Sequence, residues 1–173
     1  MATRILVTYA SRTGSTAEVA EEIARTLAEG EGTQVDVLPM SAVNNVARYQ
    51  AVVLGSAIRG SQWLPEAKQF IEVHRSVLAQ KKVALFTVCI TMAMKNAESY
   101  RSAVMNWVAP VRALVNPLRE GLFAGMLDFS KLPVNKDTLL LRLSVLLGIF
   151  PRGDQRDWKA IHAWAQSLLP VLG

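Results

Sequence analysis

The chain alternates between runs that are apolar at nearly every position and stretches where apolar residues recur every three to four. "RILVTYA" (4–10), "YQAVVLGSAI" (49–58) and "KKVALFTVCI" (81–90) are of the first kind and read as strands covered on both faces. "TQVDVLPM" (33–40) alternates with period two, as an edge strand does, and "REGLFAGMLD" (119–128) reads as the last strand. Helical stretches lie between them. From about Thr16 to Glu29, Val19, Ala20, Ile23, Ala24 and Leu27 form one face, opposite Glu18, Glu21, Glu22 and Arg25. Gly30 and Gly32 stop that helix. "LPEAKQFIEVHRSVLAQ" (64–80) is a helix with proline near its start, and residues 96–115 form one that Pro110 must kink or divide. "RDWKAIHAWAQSLL" (156–169) is a further amphipathic helix.

Apolar strands separated by helices require a mostly parallel sheet covered on both sides. The expectation is an α/β fold with a doubly wound five-stranded parallel sheet, forming one domain over residues 1–173. One segment does not fit five simple β/α units. It is an apolar helical insertion at about 129–153, before the last helix. Nine of the twelve residues from Leu139 to Phe150 are large and apolar, interrupted by Arg142, Ser144 and Gly148. Such a helix cannot face water all round, and it is too short to span a bilayer. Its roles stay open: an extra core helix, a homodimer contact, a cover over an apolar substrate, or peripheral membrane contact through residues 139–150. In the last case Lys136, Arg142 and Arg152 would lie near anionic headgroups.

Composition narrows the classes. At 51% hydrophobic and 19% charged, the chain is not a disordered one. A lone Cys89 excludes an internal disulfide and fits a reducing compartment, so a cytoplasmic location is expected, with membrane contact on its inner face. "MATRILV" has no signal-peptide character. The net charge is +5, and residues 87–173 hold ten Lys/Arg against six Asp/Glu. That excess suits anionic lipid or an acidic small molecule. With no basic cluster interleaved with aromatics, no nucleic-acid partner is expected. His74 and His162 lie in helices away from the strand ends, and with one cysteine they make no metal site.

The candidate chemistry lies where the first strand hands over to the first helix, at "ASRTGST" (10–16). Ligands of doubly wound sheets bind at such strand exits. A helix N-terminus offers unpaired N–H groups, a glycine permits close backbone approach, and hydroxyls add neutral hydrogen bonds. Ser11, Thr13, Ser15 and Thr16 around Gly14 therefore describe a phosphate cradle. The competing reading is simple helix capping by Thr13 or Ser15. Lacking a G-K-[ST] pair and having one glycine, the turn is neither a P-loop nor a dinucleotide fingerprint.

"VTYASRTGSTAEVA" resembles the FMN-phosphate loop of flavodoxins, [ST]-x-[ST]-G-x-T after a strand ending in an aromatic, here Tyr9. Ser15 stands where asparagine is usual. The resemblance implies sheet order 2-1-3-4-5, FMN as cofactor, and a phosphate held by Ser11, Thr13, Ser15, Thr16 and the amides of residues 12–16. Arg12, "VVLGSAIRGSQWLPEAKQFI" and "KKVALFTVCIT" are similar to the branch containing menaquinone-dependent protoporphyrinogen oxidase. By that resemblance, Ala57, Ile58, Arg59, Gly60 and Trp63 flank the flavin ring, with Trp63 either stacking on it or packing at a helix start. Cys89, Ile90, Thr91, Met92 and Ala93 lie along its pyrimidine edge. The implied activity is two-electron oxidation of a porphyrinogen-like or other apolar small molecule, with electrons passed to a quinone. The alternative is a flavodoxin-type carrier docking to redox proteins. Gly60–Ser61–Gln62 departs from the oxidase's Tyr–Gly–His.

Overall fold

The computed structural model describes residues 3–173. In chain order the elements are β1 (Thr3–Ala10), α1 (Ser15–Ala28), β2 (Thr33–Pro39), β3 (Ala51–Arg59), β4 (Gln62–Trp63), α2 (Pro65–Val73), α3 (Arg75–Leu78) and β5 (Lys82–Cys89). Then follow α4 (Ala97–Val115), β6 (Arg119–Ala124), β7 (Met126–Leu127), α5 (Lys136–Leu146), β8 (Gly153–Asp154) and α6 (Trp158–Leu172). The sheet runs β2-β1-β3-β5-β6, and these five strands pair in parallel. Counting the parallel strands alone, this is the order 2-1-3-4-5. β4 pairs only with β3, antiparallel.

The apolar runs exist because each strand feeds two cores. Leu6, Val52, Leu54, Val83 and Leu85 enter one, with Ala67, Phe70 and Ile71 of α2 and Val108 and Val111 of α4. Ile5, Val7, Val53, Ala84 and Phe86 point the other way, against Val19, Ile23 and Leu27 of α1 and Ile161 and Leu168 of α6. Contact is tight at Gly55, where a Cβ would fall 1.9 Å from Phe86 Cζ.

Four expectations change. The helix foreseen over 64–80 breaks at His74, and the re-aimed segment α3 buries Leu78. Pro110 does not divide α4; it sits on the exposed side, where water can satisfy the carbonyl that proline leaves without its donor. The strand foreseen over 119–128 leaves the sheet at Ala124 and, past Gly125, forms a two-stranded antiparallel ribbon, β7 with β8. The insertion leaves and rejoins the fold through that ribbon. Its helix α5 starts at an Asn135 cap, whose side chain accepts from Thr138 N at 2.9 Å, and ends near Gly148 at φ +71°. It is not an added core helix: Leu139, Leu140, Leu143, Leu146 and Leu147 are exposed. No described helix is long and apolar enough to cross a membrane.

Candidate functional site

The turn between β1 and α1 is built around Gly14. This residue is the N-cap of α1 at φ +91°, a conformation that favours glycine. No side chain caps the helix, so its first-turn N–H groups stay available. Ser11 Oγ accepts from Gly14 N at 3.1 Å and holds the turn in shape, while the Thr13, Ser15 and Thr16 hydroxyls make no hydrogen bond to the described residues. The capping role considered for Thr13 and Ser15 is therefore not what the turn does. Thr16 and Ser15 are buried, which fixes their backbone.

The turn opens on a cavity of about 500 Å³. Ser11, Arg12, Thr13, Ser15 and Thr16 line one part. Ala57, Ile58, Arg59 and Gly60 come from the end of β3 and the hairpin beyond it, and Ile90 from the strand exit of β5. Those residues were foreseen. Others were not: Leu64, Val88 and Gly125 from the fold itself, and Leu132, Asp137, Thr138 and Leu141 from the insertion. The insertion thus walls the cavity. Arg12 also donates to Glu66 at 3.1 Å, and both residues line a second cavity of about 610 Å³ on the side of β2 and α2.

The foreseen residues are not all brought together. Trp63 is fully buried, and its Nε1 donates to Thr87 Oγ1 at 2.9 Å, so of its two roles the structure takes packing. Cys89 is buried, and Thr91, Met92 and Ala93 sit in a short 3-10 turn outside the lining of the cavity. Gly60 and Ser61, at φ +56° and +59°, form the two-residue loop of a tight hairpin joining β3 to β4. The Gly-Ser pair between strand residues is a sequence signal for such a turn.

Arg156 also escaped the sequence reading. Its side chain is 3% exposed, yet charged. Nε and Nη2 grip Asp154 at 2.8 and 2.6 Å, Nη2 meets Glu18 at 2.8 Å, Nη1 donates to Ser15 O at 3.2 Å, and the guanidinium lies 4.4 Å from the centre of the Trp158 ring. Burial works against its charge, but the hydrogen bonds to Asp154 and Glu18 outweigh that and raise its pKa. The same contact with Arg156 lowers the pKa of Asp154. Arg156 thereby fastens β8 beneath the turn. His162, on α6, has its Nδ1 2.9 Å from Thr26 Oγ1 and is not part of the cavity's lining. Among the described residues no cluster of His, Cys, Asp and Glu is arranged to hold a metal.

Comparison with known proteins agrees with this geometry. A family model described as a flavodoxin domain matches residues 6–142. A curated relative, protoporphyrinogen IX dehydrogenase [quinone] of Leishmania major, is 26% identical over 130 residues, covering 74% of this chain. The match spans only 56% of that longer relative. Among solved structures, a short-chain flavodoxin associated with a non-canonical PDU bacterial microcompartment superposes with a TM-score of 0.59 at 12% identity, covering 100% of both chains. The apo form of an NADH:FMN oxidoreductase superposes at 0.56 and 15% identity, over 95% of this chain and 89% of that one. At such identities the structural likeness establishes the fold.

Proposed function

This chain belongs to the flavodoxin-domain family, and on that premise we propose that it binds FMN and works as an FMN-dependent oxidoreductase. The observation that carries the reading is the uncapped turn at Gly14, with hydroxyls of Thr13, Ser15 and Thr16 opening on a cavity of about 500 Å³. The residues fit the group. A phosphate monoester is met by first-turn N–H groups and hydroxyls, and the ring by walls of Ala57, Ile58, Leu64, Val88 and Ile90. When bound, FMN supplies electron transfer in one- or two-electron steps. The chain's own part is to hold the dianion, keep the ring between β3 and β5 exits, and exclude water with those apolar side chains. Protein that is yellow as purified and releases FMN on heating, identified by mass, supports this reading. Colourless protein that also fails to take up added FMN defeats it.

The substrate proposed is porphyrinogen-like or another apolar molecule, oxidised by two electrons that a quinone finally accepts. Supporting it are the curated relative's name, the net charge of +5, which suits a carboxylated substrate, and the apolar Leu132 and Leu141 on the cavity wall. Residues 139–150 would rest on an anionic bilayer, with the exposed leucines inward and Lys136, Arg142 and Arg152 at the headgroups. Turnover of protoporphyrinogen with a quinone tests the chemistry, and cosedimentation with anionic vesicles tests the contact. The same exposed leucines beside the cavity favour one second reading, a carrier that docks to protein redox partners. Absence of turnover, together with fast exchange of single electrons, would favour the carrier.

A further inference from the structure

We propose that Lys131, supplied by the insertion, completes the anion site at the Gly14 turn and sets its preference for the phosphorylated flavin. This rests on the FMN reading above. Lys131 closes the 3-10 turn Phe129–Lys131, whose cap is Asp128. That carboxylate accepts from Ser130 N at 2.9 Å and Ser130 Oγ at 2.6 Å, so the position of the turn is set by the insertion's own hydrogen bonds. From there the lysine reaches back to the cradle. A Cβ built on Gly14 would have one neighbour within 4 Å, and it is Lys131 Nζ at 3.9 Å. The ammonium thus lies over the open face of the glycine around which the turn wraps.

Two other cations nearby are committed elsewhere. Arg12 is drawn to Glu66, and Arg156 is spent on Asp154, Glu18 and the Ser15 carbonyl. Arg59, the last residue of β3, lines the cavity where the hairpin walls it, among the residues assigned to the ring. Among the described residues, no carboxylate lies within ion-pair distance of Lys131, although Asp128 stands in its field and Asp137 lines the cavity on which the turn opens. A dianion at the turn gives this ammonium the partner it lacks, and it offsets the repulsion from Asp137. Riboflavin has the same ring without the phosphate and gains nothing from Lys131.

The test is fluorescence titration of flavin-free full-length protein with FMN and with riboflavin, at low and high salt. K131Q is expected to bind FMN about ten-fold more weakly, as loss of one charge-assisted contact implies, with riboflavin affinity unchanged. Its FMN affinity should also depend less on salt, and K131R should restore most of the loss. Unchanged FMN affinity in K131Q would overturn the inference. Equal weakening for both flavins would overturn it too, since the effect of Lys131 would then not act through the phosphate. Wild-type protein that binds neither flavin would instead bring down the FMN reading itself, and this inference with it.

Discussion

Arg156 Nη1 donates to the main-chain carbonyl of Ser15 at 3.2 Å, joining residues 141 positions apart in sequence. A charged side chain that lies 3% exposed between the ribbon and the first turn of α1 has both a structural and a positional effect.

Replacing Arg156 by alanine removes its contacts to Asp154, Glu18 and Ser15 O together. Because both carboxylates keep partial access to water, the expected cost is about 2–3 kcal/mol, below that of breaking a fully buried pair. Urea unfolding measures it. Arg156→Lys should recover only part, since lysine cannot grip Asp154 with two nitrogens. Flavin affinity should also fall in both variants, because the Ser15 end of the turn is no longer tied down.

Acid should act on the same contact. Asp154 has a pKa lowered from the ordinary carboxylate value, so the folded protein binds its proton less readily than the unfolded chain. Its contribution is complete at neutral pH, above the ordinary value of about 4, and fades as pH falls through the lowered folded value. Unfolding curves of the wild type and Asp154→Asn should lie apart at pH 7 and converge toward strongly acidic pH.

At the turn, Ser11→Ala combined with Thr16→Val should weaken FMN by a few kcal/mol, about 1 kcal/mol or more for the Thr16 hydrogen bond to a charged group and the rest from a loosened Gly14 turn. Ser11 acts by fixing Gly14 N and Thr16 by presenting its hydroxyl, so the two losses should be separable in the single variants. Equilibrium titration measures the affinity, and unfolding curves check that the fold is kept.

Trp63→Phe separates packing from ring contact. It removes the bond to Thr87 Oγ1 and leaves a small gap in a fully buried place, so stability should drop by about 1–3 kcal/mol. Flavin affinity should stay within about two-fold, because the indole does not line the cavity. A large, selective loss of binding would show that the tryptophan reaches the ring after all.

Much of this fold was legible because its signals are local. Ile5, Leu6 and Val7 announce a strand covered on both faces, and Val19, Ile23 and Leu27 announce a helix with one buried side. Gly14 with its neighbouring hydroxyls announced the turn for the same reason: strand exit, glycine and helix start are adjacent in sequence. What could not be read depends on distance along the chain. Arg156 looks like one more basic residue until β8 pairs with β7 and brings it under Ser15. Trp63 sits in a loop by sequence but enters the core because the hairpin at Gly60–Ser61 folds it back onto Thr87. The leucines of the insertion suggested burial, and most of them face solvent. Hydrophobic pattern reports a need for cover without saying what provides it.

The ribbon has one more consequence. Leu127 and Gly153 stand opposite each other, so everything from Asp128 to Arg152 enters and leaves through a neck only one residue pair wide. Such a segment is a detachable module: a tight turn spliced between those two residues would close the gap while leaving the five parallel strands alone. The trimmed protein would carry a wider mouth to its cavity, without Leu132, Asp137, Thr138 and Leu141. Evolution can therefore exchange what covers the cavity, and with it what a molecule bound there would meet, without rebuilding the scaffold beneath.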